Sequence, residues 1–216
     1  MHFEILVEDL SGKEMLDILV PQIIGSKHTF NVKAYKGVGR IPQKLNKAVD
    51  ASKRILLDNL PRLLAGYGKS WPTGYGAVLV VCDLDKKCLK TFRNELLSIL
   101  SICNPAPETL FCIAIEEGEA WLLGDIKAIK SAYPHAKSPI LEAYNPDSIC
   151  GTWEQLADAI YKGGAKKLVE QGWQKVGAEK TTWARNIAPN MNLRNNRSPS
   201  FNYFRNKLIE LATDAE

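Results

Sequence analysis

The chain has 216 residues, of which 45% are hydrophobic and 24% charged, and its formal net charge is +4. That apolar content supports a substantial core, most economically in one domain, and excludes a disordered tail. No apolar run approaches the ~20 residues of a membrane span, and the opening HFEILVE is a strand pattern rather than a charged segment followed by an apolar signal region, so a cytoplasmic location is expected.

His2 to Val7 is predicted as a strand, and Ser11-Gly12-Lys13-Glu14 as a capping box that opens a helix from about Lys13 to Ile24. Phe30 to Tyr35 follows as a second strand. Leu45, Val49, Ile55, Leu56, Leu60, Leu63 and Leu64 recur at mostly helical spacing and predict a longer helix from Pro42 to Leu64. Gly66 to Gly76, rich in glycine and aromatics, is expected to be a loop. The apolar run Ala77 to Cys82 predicts a third strand, Lys86 to Cys103 a helix, Asn104 to Pro107 a turn, and Thr109 to Ile115 a fourth strand. Glu119-Ala120-Trp121-Leu122-Leu123 begins a further helix, with Trp121, Leu122 and Leu123 expected in the core. Strands alternating with helices imply an α/β fold with a mostly parallel, Rossmann-like central sheet flanked by helices.

Ligands of such sheets gather at the C-terminal ends of the strands. That rim is where the acids fall: Glu8 and Asp9 after the first strand, Asp83 and Asp85 after the third, and Glu116, Glu117 and Glu119 after the fourth. Carboxylates held close repel one another, and a bound hard cation relieves the repulsion; oxygen-only ligands suit Mg²⁺ or Mn²⁺. Strand alternation predicts that Asp83 and Asp85 point to the same side. A metal there would activate water and stabilise the leaving oxygen of a phosphodiester.

Positive charge is concentrated elsewhere. Lys162 to Lys207 holds ten Lys or Arg against Glu170 and Glu179 alone, an excess of +8 that leaves the remainder at −4. Such a block suits a polyanion, because each neutralised phosphate releases counterions. Lys162, Lys166, Lys167, Arg185, Arg194 and Arg197 are the candidate nucleic-acid contacts; the competing reading is a solvated helical face. Five cysteines without a Cys-x-x-Cys pair, two of them (Cys82 and Cys112) inside apolar runs, imply reduced thiols and no zinc.

Glutamate in ILVEDLS at the end of the first strand and Asp-x-Asp in VVCDLD after the third resemble the Toprim pattern, the catalytic domain shared by topoisomerases, primases and the overcoming-lysogenization-defect nucleases. IAIEEGEAWLLGD and the tail segment KTTWARNIAPNMNLRNNRSPSFNYF resemble small stand-alone Toprim-like proteins of unknown function. Those occur in bacterial anti-phage and mobile loci, often beside an ATP-binding-cassette-type ATPase. The resemblance covers most of the chain and implies a Toprim-like core over 1–130 with a basic helical extension over 131–216. It makes Glu8 a metal ligand or general acid/base, Asp83 and Asp85 metal ligands, and Glu119 a fourth metal-site acid that completes or orients the cluster, with Asp125 secondary; Lys180, or Lys166, would assist the phosphate. Where the pattern has a further acid four residues after the first glutamate, this chain has Gly12.

The expected activity is therefore a Mg²⁺- or Mn²⁺-dependent nuclease in a defence system, acting on DNA or RNA, with a partner ATPase and self-association both open. A non-catalytic scaffold that binds nucleic acid or a partner is the alternative. A receiver-like phosphoacceptor is disfavoured because the fourth strand ends in Ile-Glu-Glu. Gly68-Lys69-Ser70 is not a phosphate loop, since the required earlier glycine falls at Leu63. Glu14 is expected to serve a helix end.

Overall fold

The computed structural model describes residues 1–42, 51–148 and 151–214. Four parallel strands lie in the order β2-β1-β3-β4: β1 (His2–Val7), β2 (Thr29–Ala34), β3 (Gly76–Asp83) and β4 (Glu108–Ala114). The helices are α1 (Leu10–Ile24), α2 (Leu56–Ser70), α3 (Leu89–Ser101), α4 (Glu119–Leu123), α5 (Ile126–Ala132), α6 (Ser138–Glu142), α7 (Thr152–Ile160), α8 (Gly164–Val169), α9 (Trp173–Ile187) and α10 (Pro199–Asp214). Among the described residues no helix is long and apolar enough to cross a membrane.

Alternation along the strands divides the core in two. Phe3, Ile5, Val7, Leu79, Val81, Cys112 and Ala114 face one way, onto Met15, Leu16 and Leu19 of α1 and onto Trp121, Trp183, Phe201 and Phe204 of the later helices. Leu6, Val78, Val80, Phe111 and Ile113 face the other way, onto Leu56, Leu60 and Leu64 of α2 and Phe92, Leu96 and Ile99 of α3. The central β3 is buried from Gly76 to Cys82, as a strand covered on both faces must be. Residues beyond 131 share the first core with the sheet and are packed on it rather than hung beside it.

Several boundaries differ from expectation. α1 begins at Leu10, because Asp9, in an extended conformation, accepts from Gly12 N at 2.8 Å and serves as the cap in place of Ser11. The first part of the helix expected over Pro42 to Leu64 falls on 43–50, outside the described residues. After a 3₁₀ turn at Ala51–Lys53, α2 starts at Leu56 and runs through Gly66, Gly68 and Lys69 to Ser70, so the glycine-rich stretch is largely helix. Gly68 is needed there, since a Cβ would lie 1.9 Å from the carbonyl oxygen of Pro105. α3 begins at Leu89, three residues later than expected. Cys82 and Cys112 are buried free thiols, and Trp121, Leu122 and Leu123 are core, as anticipated.

Candidate active site at the strand ends

Strand register sets the distance between the acids. Val7 lies opposite both Ala34 and Val81, and Asp83 lies opposite Ala114. Glu8 therefore leaves β1 level with the tip of β3, and its Oε2 accepts a hydrogen bond from Asp83 N at 3.3 Å. From β4 the chain turns through Glu116-Glu117-Gly118 into α4, whose first residue is Glu119. This carboxylate is 3% exposed. It takes an ion pair from Lys180 Nζ to Oε2 at 3.1 Å, and Ser11 Oγ lies 3.4 Å from Oε1. Ser11 Oγ in turn donates to Asp9 Oδ2 at 2.9 Å.

Glu8, Asp9, Ser11, Gly12, Asp83, Gly118 and Glu119 line a cleft of about 20 Å³ floored by Val7, Met15, Val81 and Trp121. That is room for about one water-sized species. The low-dielectric floor governs the titration of the acids. Burial, reinforced by Asp9 and Asp85, raises Glu8 from 4.5 to about 7 against the opposing hydrogen bond from Asp83 N. Asp83 is raised well above the usual carboxylate range, first by burial and then by Glu8 and Glu119. Glu119 is raised by burial, with Lys180 opposing. Burial works against the Lys180 charge, yet Glu119, Asp9, Glu117 and Asp83 hold it above its ordinary value.

Lys180 reaches the cleft because α9 lies along α1. Val176, Trp183, Ala184 and Ile187 form the buried face of α9, and Lys180 occupies the same stripe, its side chain 16% exposed. Lys180 ties α9 to α4, and Arg185 Nη2 to Glu14 Oε1 at 3.0 Å ties α9 to α1, so Glu14 pairs across helices instead of capping one.

The position of Glu119 depends on the tail. Trp121 Nε1 donates to Ser200 Oγ at 3.0 Å, its ring stacks on Phe204 at 5.0 Å, and Asn196 Nδ2 donates to Trp121 O at 2.8 Å. Asp147 accepts from Ser198 Oγ and Ser200 N at 2.8 and 2.7 Å, which fixes the start of α10. The buried Asn196, Ser198 and Ser200 are thus structural supports of α4. At the sequence level the only sign of them was a run of small polar residues between basic ones.

Other acids of the rim stand apart from the cleft. Asp85 lies beyond β3 in a left-handed conformation (φ 51°), its side chain is 52% exposed, and it pairs with Lys87 at 3.4 Å. The expected common side for Asp83 and Asp85 fails because alternation holds only within a strand, and β3 ends at Asp83. Glu117 Oε2 accepts from Thr152 Oγ1 and Trp153 N at 3.0 and 3.1 Å and so serves the start of α7. Glu116, with φ 74° and 4% exposure, leaves Oε2 without a hydrogen-bond partner and is raised to about 7, mainly by burial. Asp125 caps α5 and accepts from Asn192 N at 2.7 Å, which accounts for it structurally. Lys162, Lys166, Lys167, Arg185, Arg194 and Arg197 are exposed, and Arg185 is the one already paired with Glu14.

A cation's fit follows from the donor set. The cleft offers only oxygen donors, and they are desolvated and mutually repelling, which suits a hard cation. Among the described residues no group of three His, Cys, Asp or Glu side chains is gathered as a metal site. Glu8 and Asp83 would be the two protein ligands, a number sufficient for Mg²⁺, which keeps several waters and takes phosphate oxygens from its substrate.

A family model described as Domain of unknown function (DUF4276) matches residues 7–209. The chain belongs to this family. The DUF4276 match runs from the last residue of β1 into α10, so it takes in every residue of the cleft and the tail that supports it. No curated protein and no solved structure matches the chain.

Proposed function

We propose that the chain is a divalent-metal-dependent nuclease of Toprim type, an effector of bacterial anti-phage defence that works in the cytoplasm. One observation carries the reading: Glu8, Asp83 and Glu119 converge from three elements on one cleft at the C-terminal end of a parallel sheet, with Lys180 as their counter-charge. Glu8 and Asp83, buried carboxylates with no ion pair among the described residues, call for a ligand, and Mg²⁺ or Mn²⁺ is that ligand. Bound there, the cation would supply Lewis-acid stabilisation and a water of lowered pKa.

The chain's own residues orient the rest. Asp83 N holds the Glu8 carboxylate, Lys180 holds Glu119, and the Lys180 ammonium places positive charge where phosphate oxygens would gather. Exposed lysines and arginines of the 162–207 stretch would hold the remainder of a DNA or RNA strand, and an ATP-binding-cassette-type ATPase is the proposed partner. The test is cleavage by the purified chain with Mg²⁺ or Mn²⁺, abolished by EDTA and by Asp83→Asn.

A second reading is favoured by the exposed Asp85 and by the lack of a three-ligand set among the described residues: a non-catalytic scaffold that binds nucleic acid or a partner. It requires salt-sensitive binding without cleavage under any metal.

A further inference from the structure

Among the described residues α2 and α3 are the helices packed on one side of the sheet, and on that side the side chains of edge strand β2 are exposed or half-buried. The side chains there are polar: Asn31, Lys33 and, just past the strand, Tyr35. Between them and α2 lies a pocket of about 230 Å³ lined by Lys33, Tyr35, Arg54, Asn59, Arg62 and Leu63. Among the described residues that line it there are three cations and no carboxylate. Glu4, beneath it, neutralises one of them, pairing with Lys33 Nζ at 2.8 Å. The other two keep their charge: Arg54 Nη2 donates to Ala34 O at 2.7 Å and Arg62 Nη2 to Asn59 Oδ1 at 3.3 Å, and among the described residues neither meets a carboxylate.

Backbone geometry shows that the arrangement is held against a cost. Arg54 has φ 51°, a conformation that a long side chain adopts at an expense of order 1 kcal/mol. Its carbonyl accepts from Lys36 N at 2.8 Å, so the strained residue is fixed to the chain leaving β2 at the same time as its guanidinium is fixed to Ala34 O. Asn59 is buried, its Nδ2 donating to Ile55 O at 2.7 Å, which turns Oδ1 toward Arg62. The chain beside the pocket is tied to the strand that carries Glu8: Tyr35 N donates to Val7 O and Gly37 N to Glu8 O, both at 2.9 Å.

Two guanidinium groups that meet no carboxylate among the described residues match a dianion better than a monoanion. A phosphate monoester carries about −1.5 to −2 charges at neutral pH, whereas an internal phosphodiester carries one. Arginine's fork suits phosphate oxygens bidentately. The pocket is also smaller than those that enclose drug-sized ligands, so it fits a group rather than a whole nucleotide. We propose that the pocket between β2 and α2 binds a phosphate monoester, the terminal phosphate of a nucleic-acid strand lying toward the cleft or that of a free nucleotide. The phosphate chemistry stands on the pocket alone; the strand as its source rests on the nuclease reading.

The experiment is calorimetric titration of the full chain in EDTA at constant ionic strength. The probes are inorganic phosphate, adenosine 5′-monophosphate, adenosine, and a short single strand with either a 5′-phosphate or a 5′-hydroxyl. Phosphate and the monophosphate should bind, adenosine should not, and Arg54→Gln/Arg62→Gln should weaken both bound probes at least tenfold. Arg54→Lys/Arg62→Lys, which keeps charge but not the fork, should fall between. Asp83→Asn should leave them unchanged, which separates this site from the cleft. A strand bound tenfold more tightly with its 5′-phosphate identifies a strand end as the source; binding of the mononucleotide alone identifies a free nucleotide. Phosphate and the monophosphate binding equally to wild type and the double glutamine variant, or not binding wild type at all, overturns the proposal.

Discussion

Replacing Glu8 by glutamine tests whether the cleft is charged at the expense of the fold. The amide keeps an oxygen for Asp83 N and removes only the ionisation. A rise from 4.5 to about 7, at 1.36 kcal/mol per unit, corresponds to about 3 kcal/mol. Below about pH 4.5 the carboxyl is protonated in both folded and unfolded chains and contributes nothing. Between 4.5 and about 7 the unfolded chain gives up the proton while the folded one keeps it, so stability falls as pH rises. Above 7 the folded protein bears the full cost. Urea unfolding in EDTA should therefore show Glu8→Gln and wild type equal near pH 4 and the variant more stable by about 3 kcal/mol at pH 8. Glu116 titrates in the same window in both proteins and cancels in the comparison. Relief of Asp83 adds in the same direction. A gap that does not change between pH 4 and pH 8 would refute the reasoning.

Lys180→Met leaves Glu119 buried without its ion pair, and unfolding at pH 7 should show a loss of about 3 kcal/mol or more. That loss should shrink as pH falls, because burial raises Glu119 and it then takes up a proton instead. Gly12→Ala places a Cβ 2.5 Å from Val7 Cγ2 and 3.3 Å from Asp9 Oδ1; thermal and urea unfolding should register about 1–3 kcal/mol of overpacking.

The four strands and the acids at their tips were legible because a parallel sheet makes its central strands apolar on both faces and its C-terminal rim polar. Register was not legible, and register decides which acids meet. Because Val7 pairs with Val81, Glu8 falls one residue short of Asp83 and its carboxylate reaches Asp83 N, whereas Asp85 turns outward in a left-handed conformation that no alternation rule anticipates. The absent acid at position 12 has a physical reason that only packing shows: Gly12 backs onto Val7, and no side chain fits there. Lys180 left a readable trace, since it falls at helical spacing from Val176, Trp183, Ala184 and Ile187, and a lysine in an apolar stripe calls for a buried partner. Nothing local marked Asn196 and Ser200 as supports of Trp121, because their partners lie about 75 residues away in the chain. The capping box failed for a related reason: Asp9 sits two residues nearer the strand and takes Gly12 N first.

Divalent-dependent strand cleavage measures the central claim most directly. Purified wild type, Asp83→Asn and Glu8→Gln, each confirmed folded by thermal melting, would be incubated with supercoiled DNA, single-stranded DNA and RNA over a series of Mg²⁺ and Mn²⁺ concentrations, alone and with the proposed ATP-binding-cassette-type ATPase. The account predicts cleavage of at least one substrate that rises with the divalent ion, stops in EDTA and falls at least 100-fold in both variants. Cleavage that persists in folded Asp83→Asn, or no cleavage by wild type under any of these conditions, would contradict it.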